Sequence, residues 1–265
     1  MLTRNLLFCR VALIFILIAS LAGCCTASAK PDQDSRSPSR TYLIVHGAWG
    51  GGWAFKQLDT MLRAAGHDVY RPTLTGLGER SHLANPNLTL DTHINDILNV
   101  IKFEKLQNIV LVGHSYGGMI ISAVADRIPQ NIETLIYIDA HLPIDGESMF
   151  DLINPQRKAN LLKQAKSHGN GWQILPPWPK NGQNVAHPLA TFENAIKLNN
   201  SRLEGINAKY ILTLEPGTKT DAFSLSAKRA RARGWQYYEL RTGHNPHWTM
   251  PHELVKILTA NDLSK

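Results

Sequence analysis

The stretch Val110-Leu111-Val112-Gly113-His114-Ser115-Tyr116-Gly117-Gly118-Met119-Ile120 decides how this chain is expected to fold. Its β-branched start predicts a short buried strand, and the small apolar pattern after Gly118 predicts a helix. Between them lies a G-x-S-x-G pentapeptide centred on Ser115. Such a strand, sharp turn and helix expose the serine at a helix N-terminus, where free N–H groups favour developing negative charge. Ser115 is therefore a candidate nucleophile, and the alternative is that it only caps the helix.

Length and composition are typical of one globular α/β domain. The chain has 265 residues, of which 43% are hydrophobic and 18% charged, and no internal repeat is visible. The formal net charge is +7, but the basic residues are scattered. Their densest cluster, residues 228–233, fits a solvated helix face, so we expect no nucleic-acid partner.

Residues 1–29 are typical of an export signal. Two arginines precede an apolar run over residues 11–22, which is too short to span a bilayer comfortably. Leu21-Ala22-Gly23-Cys24 resembles a lipobox with lipidation at Cys24, whereas Ala27-Ser28-Ala29 resembles a simple cleavage site. We favour the lipobox because its cysteine is the more specific signal. The expectation is an exported, membrane-anchored lipoprotein, periplasmic or at the cell surface, or a secreted or periplasmic protein if cleavage follows Ala29.

Beyond this segment the sequence predicts a linker followed by a folded domain. Residues 30–40 (KPDQDSRSPSR) are polar and predict a linker, and residues 41–265 predict the domain. Strand and helix patterns alternate in it, which predicts a mostly parallel, doubly wound sheet. The alternation breaks over about residues 142–205, which are rich in proline and predict only short helical fragments. We expect this insertion between two strands to form a helical lid over the sheet edge where pockets of open α/β sheets lie.

The other groups needed for acyl transfer are present in the chain. Such a site requires a nucleophile, a base, an acid that orients the base, and N–H donors for the oxyanion. His244 follows the last predicted strand and is the candidate base. The candidate oxyanion donors are the amides of Ala48, in a glycine-rich loop after the first strand, and of Tyr116.

Chain order alone does not identify the carboxylate that would orient His244. Three carboxylates lie between Ser115 and His244 in suitable positions: Asp139, Glu215 and Asp221. Asp221 has an alternative role, since it can cap the helix predicted from about Phe223.

Four motifs together resemble one known family: His46-Gly47-Ala48-Trp49, the run PTLTGLGER over residues 72–80, Gly113–Gly118, and Gly243-His244. They are similar to those of bacterial esterases with the α/β-hydrolase fold, akin to the plant methyl esterase and hydroxynitrile lyase group. The resemblance covers residues 41–260 and implies that fold. It also implies the acid, because the bacterial members carry a Leu-Asp-Ala type motif at the strand end that matches Asp139.

The resemblance implies a serine hydrolase that cleaves a small or medium carboxylic ester without a cofactor. A hydroxynitrile lyase would use the same groups, but that group has a threonine and a lysine where this chain has Gly47 and Asn245. A third possibility is a surface lipoprotein that only binds a ligand in its pocket. The histidines show no H-E-x-x-H spacing and all three cysteines lie in residues 1–29, so we expect no metal.

Overall fold

The computed structural model describes residues 38–177, 182–199, 205–219 and 221–260. Within these ranges the chain from Ser39 onward forms one compact unit. The predicted signal peptide with Cys24, and the predicted linker up to residue 37, lie outside the described residues. No helix in the described ranges is both long enough and apolar enough to cross a membrane.

A parallel sheet forms the centre of the unit. In chain order the described strands are β1 (Thr41–Val45), β2 (Asp68–Tyr70), β3 (Ile109–His114), β4 (Ile132–Ile138), β5 (Gln173–Ile174), β6 (His187–Pro188), β7 (Asn207–Thr213) and β8 (Gln236–Leu240). Six of them pair in the order β2-β1-β3-β4-β7-β8, and every neighbouring pair is parallel. β5 and β6 form a separate antiparallel pair.

The helices connect the strands. The described α-helices are α1 (Lys56–Ala64), α2 (Leu90–Phe103), α3 (Gly117–Arg127), α4 (Pro155–His168), α5 (Ala190–Glu193), α6 (Ser224–Ala232), α7 (Pro246–Thr249) and α8 (Pro251–Thr259). The helical segment that follows β8 is divided into α7 and α8. Pro251 lies at the division, where its missing N–H and fixed φ suit the first turn of a new helix.

The two faces of the sheet bury different side chains of the same strand. On β1, Leu43 and Val45 belong to a core that includes the apolar faces of α2 and α3. Tyr42 and Ile44 point the other way, into a second core with α1 and α8. This alternation follows from the two-residue period of a strand and places helices on both faces, which is the predicted doubly wound arrangement.

The insertion between β4 and β7 contains more regular structure than its sequence predicts. We call this insertion, residues 142–205, the insert. Instead of short fragments only, it contains the 14-residue helix α4. Asn154 explains where α4 begins, because its side chain accepts a hydrogen bond from the Gln156 amide (2.8 Å) and Pro155 follows at the first helical position.

The functional loops meet at one edge of the sheet. Parallel strands place all their carboxyl ends at the same edge. Val45 of β1 pairs with Gly113 of β3, and His114 of β3 pairs with Ile138 of β4, so the segments after these three strands leave the sheet side by side. The chemistry-bearing residues predicted from the sequence follow these ends.

Candidate active site

Ser115 occupies the turn between β3 and α3, near the middle of the sheet. Its φ is +56°, a left-handed conformation that is uncommon for a residue with a side chain. The turn is held by its own backbone, because the Ser115 carbonyl accepts hydrogen bonds from the amides of Gly118 and His141 (both 3.1 Å). A Cβ at position 117 would lie 2.5 Å from the Val45 carbonyl oxygen, so this close approach of helix and strand requires Gly117.

His244 lies in the loop after β8 and contacts a buried carboxylate. Its Nδ1 is 2.6 Å from Oδ2 of Asp139, a residue that has no exposed surface. Oδ1 of the same carboxylate accepts a hydrogen bond from the Thr213 amide (3.0 Å). Because both oxygens are engaged, the carboxylate is fixed in orientation and the His244 ring is oriented with Nε2 free of this bond.

Two further rings hold His244 in place. Phe223 stacks on its imidazole, with ring centroids 5.0 Å apart and planes inclined by 8°. Nε2 of His114 donates a hydrogen bond to the His244 carbonyl oxygen (2.8 Å). His244 is therefore fixed through its ring and through its backbone.

Of the three carboxylates that chain order left open, the structure brings Asp139 to His244. Asp221 accepts a hydrogen bond from the Phe223 amide (2.9 Å) and donates its own amide to Ser224 Oγ (2.8 Å), so it closes the turn before α6, whose N-cap residue is Phe223. Burial, and after it the charge of Asp139, raise the pKa of Asp221. Glu215 is exposed, and its carbonyl closes a turn with Thr218.

The amides of Ala48 and Tyr116 lie in the two loops that flank Ser115. Gly47 shows how close the first loop comes, because a Cβ there would be 2.9 Å from Ser115 Cβ and 3.4 Å from its Oγ. Tyr116 precedes the first residue of α3, so its amide is at the positive end of that helix. Within the described residues, neither amide donates a hydrogen bond to another group.

Ser115, His244 and Ala48 all line a cavity of about 620 Å³. Much of the remaining wall is aromatic: Trp49, Trp53, Phe55, Phe223 and Trp248. Met149 and Arg157, both from the insert, also line the cavity. The cavity thus lies between the sheet edge and the insert.

Four further histidines line the cavity, and burial lowers the pKa of each. The pKa of His46 is lowered to about 4, those of His141 and His247 to about 3, and that of His114 well below its usual value. These rings are therefore neutral at pH 7. His46 uses both nitrogens within the loops, donating from Nδ1 to the Gly47 carbonyl (2.7 Å) and accepting at Nε2 from the Leu74 amide (3.1 Å).

Sequence reasoning missed two groups that support the site. One is the backbone amide of Thr213, which orients Asp139. The other is His187 of the insert, whose Nδ1 accepts a hydrogen bond from the Trp49 amide (3.3 Å). No motif surrounds either residue, and a hydrogen bond to a backbone amide leaves no residue-type signal in a single sequence. Across the described ranges, no group of His, Cys, Asp and Glu side chains is arranged to hold a metal ion.

Comparison with known proteins identifies the family of the fold. A family model described as alpha/beta hydrolase family matches residues 42–257. A carbendazim hydrolyzing esterase of Nocardioides sp. (strain SG-4G) is 36% identical, in an alignment that covers 83% of this chain and 98% of the relative. Methyl jasmonate esterase 1 of Vitis vinifera is 31% identical, in an alignment that covers 39% of this chain and 40% of the relative.

Solved structures show the same fold at low identity. An extracellular alpha/beta-hydrolase from a Paenibacillus species superimposes with a TM-score of 0.72 at 20% identity, covering 83% of this chain and 97% of that one. Polyneuridine aldehyde esterase does so with a TM-score of 0.65 at 17% identity, covering 83% and 98%. The named relatives support a hydrolase of the esterase type. The sheet, the loops at its carboxyl edge and the match over residues 42–257 together show that this chain belongs to the alpha/beta hydrolase family.

Proposed function

We propose that this chain is a serine esterase that hydrolyses a small or medium carboxylic ester through an acyl-Ser115 intermediate. The observation that carries the proposal is the 2.6 Å contact between His244 Nδ1 and Asp139 Oδ2, at a cavity that Ser115 also lines. A buried carboxylate on one imidazole nitrogen leaves the other nitrogen as a base, which is the arrangement that activates a serine hydroxyl.

The proposed reaction follows from these positions. His244 Nε2 takes the proton of Ser115 Oγ as that oxygen attacks the ester carbonyl carbon, and Asp139 stabilises the imidazolium that forms. The negative charge on the carbonyl oxygen is stabilised by the amides of Ala48 and Tyr116. His244 then gives its proton to the alkoxide leaving group, so that the alcohol departs. In the second half, His244 deprotonates a water that attacks the acyl-enzyme, and returning the proton to Ser115 releases the acid.

The cavity supports the substrate class. Its volume of about 620 Å³ lies in the middle of the range for small-molecule sites. Five Trp and Phe side chains line it, and the four additional histidines are neutral at pH 7, although Arg157 places one cation in the wall. An uncharged ester loses less hydration on entering such a wall than an ion would. Because Met149 and Arg157 of the insert line the cavity, we propose that the insert acts as its lid.

Replacement of Ser115 by alanine tests the proposal. The S115A variant should lose turnover of p-nitrophenyl acetate and labelling by a fluorophosphonate probe, because both require the serine oxygen. Ser81→Ala is the matched control, since Ser81 is exposed, and it should behave as the wild type in both assays. Turnover by S115A near the wild-type rate would refute the mechanism, and a wild-type chain that neither turns over nor labels would favour a ligand-binding protein.

Lyase chemistry has less support. An alpha-hydroxynitrile lyase of Arabidopsis thaliana is 30% identical, but over 38% of this chain and 40% of its own. Position 47, where the lyase group has a threonine, has no room for a side chain here, since a Cβ would lie 2.9 Å from that of Ser115 and 3.1 Å from His114 Nδ1. Position 245 carries asparagine instead of lysine.

We also propose that the chain is exported. The support is the sequence of residues 1–29, with its apolar run and Cys24 in a lipobox-like context, or Ala29 as the alternative cleavage site. A lipid on Cys24 would tie the domain to a membrane through the polar residues 30–40.

A further inference from the structure

The amide, the carbonyl and the indole N–H of Trp49 all form hydrogen bonds with residues of the insert. Its amide donates to His187 Nδ1 (3.3 Å), and its carbonyl accepts from the Val185 amide (3.0 Å). Its indole Nε1–H donates to the carbonyl of Ile174 (3.0 Å). Ile174, Val185 and His187 thus bind Trp49 through its backbone and through its side chain.

Trp49 directly follows Ala48, one of the two amides proposed for the oxyanion hole. Its φ of +63° is an unusual conformation for a bulky residue and is kept only where neighbours enforce it. The Trp49 amide belongs to the planar peptide unit that joins Ala48 to Trp49. Its hydrogen bond to His187 therefore fixes the orientation of that unit, which adjoins the Cα of Ala48. This restricts the direction in which the Ala48 amide can point.

The same imidazole contacts the other proposed donor residue. The ring of His187 packs edge-on against that of Tyr116, with centroids 5.0 Å apart and planes inclined by 80°. The hydroxyl of Tyr116 is in turn 3.0 Å from His93 Nδ1. His187 therefore touches the residue after Ala48 and the side chain of Tyr116 itself.

Its hydrogen bonds determine the tautomer of His187. The hydroxyl of Thr191 donates to the Pro188 carbonyl (2.8 Å), so its oxygen accepts from Nε2–H of His187 (2.8 Å). Nδ1 then carries a lone pair, which is what the Trp49 amide requires. Burial lowers the pKa of His187 well below its usual value, so the ring stays neutral and keeps this lone pair.

We propose that His187 is a positioning residue for the oxyanion hole, through which docking of the insert aligns the amides of Ala48 and Tyr116. This rests on the proposed function of those amides. The insert is then required for stabilising the tetrahedral intermediate, in addition to covering the cavity.

The test replaces His187 by leucine and compares three readouts. For H187L we expect kcat on p-nitrophenyl acetate to fall by about 10- to 100-fold, since small displacements of catalytic groups have effects of this order. KM should stay within about twofold of the wild-type value. Affinity for phenylboronic acid, which forms a tetrahedral adduct on the serine, should fall by a factor similar to that in kcat.

Two matched variants separate positioning from packing. His187→Asn places an oxygen acceptor near the position of Nδ1, and it should recover most of the kcat that H187L loses. His168→Leu makes the same change at an exposed histidine of the insert, and it should leave kcat unchanged. Thermal melting of each variant shows whether it is folded.

The proposal is overturned if folded H187L keeps the wild-type kcat, if its kcat falls while boronate affinity does not, or if H187N is as slow as H187L. Should H187L fail to fold, Thr191→Val and Thr191→Ser decide instead. The valine removes the hydroxyl that sets the tautomer, so T191V should be slower than T191S, and equal rates overturn the proposal. An inactive S115A beside a normal H187L would refute this inference alone, whereas an active S115A would refute the proposed function itself.

Discussion

Replacing Asp139 by asparagine should change the tautomer of His244 while leaving the shape of the site intact. Asparagine is similar in size and tolerates the left-handed backbone of this position, where φ is +41°. The Thr213 amide donates to Oδ1, so the new side chain must present its oxygen to Thr213 and its NH₂ group to His244. His244 Nδ1 then has to accept, which places the ring proton on Nε2, where it cannot take a proton from Ser115.

The surroundings of Asp139 determine how far the activity of D139N should fall. Turning the amide over would leave the Thr213 N–H facing an NH₂ group at a site without exposed surface, which costs about 1–3 kcal/mol. The substitution also removes the charge that stabilises the imidazolium. An Asp→Asn change in a Ser-His-Asp triad lowers kcat by about 10⁴-fold, which corresponds to about 5.5 kcal/mol of barrier. We expect D139N to lose about 10³- to 10⁴-fold in kcat/KM.

The assay is kcat/KM for p-nitrophenyl acetate, together with the rate of fluorophosphonate labelling and a thermal melt. Glu215→Gln is the control, because it makes the same chemical change at an exposed carboxylate that chain order also allowed as the acid. It should stay within about twofold of the wild type. A folded D139N with more than a tenth of the wild-type kcat/KM, or an equal loss in E215Q, would refute the assignment of Asp139.

Two further predictions concern pH and export. Seven buried histidines have lowered pKa values. As pH falls from about 6.5 towards about 4, the unfolded chain therefore binds protons that the folded one does not; the residues are His46, His67, His93, His114, His141, His187 and His247. The free energy of unfolding should therefore be highest above pH 6.5 and should fall through this window by about 1.4 kcal/mol per pH unit for each group. Urea unfolding followed by circular dichroism at several pH values measures this slope. His247→Phe should reduce that slope by about 1.4 kcal/mol per pH unit, the contribution of one group. Both ring nitrogens of His247 lack a hydrogen-bond partner within the described residues, so the substitution breaks no such bond. An unchanged slope would contradict the reasoning. For export, cells grown with labelled palmitate should transfer the label to the wild-type protein and not to Cys24→Ala, and equal labelling of that variant would exclude lipidation at Cys24.

Backbone strain is concentrated at the proposed site. Trp49, Ser115 and Asp139 all have positive φ, and each lies in the segment that follows β1, β3 or β4. Such conformations cost about 1–3 kcal/mol each and persist where surrounding contacts enforce them. The enforcing contacts are the insert for Trp49, the amides of Gly118 and His141 for Ser115, and the Ile211 carbonyl, which accepts the Asp139 amide at 2.7 Å. Three of the six described residues other than glycine that have positive φ therefore carry or adjoin groups of the proposed site.

Local sequence patterns were enough to predict the strands of the central sheet, the turn at Ser115 and the position of His244 after the last strand. These features depend on neighbours a few residues apart, so hydrophobic period, glycines and turn residues are enough to predict them. The identity of the carboxylate that contacts His244 depends on the tertiary fold, because Asp139 is 105 residues away and Glu215 and Asp221 fit the same chain order. The hydrogen bonds between Trp49 and the insert also depend on the tertiary fold. They join residues 125 to 138 positions apart, and each uses one backbone group, which is the same in every residue type.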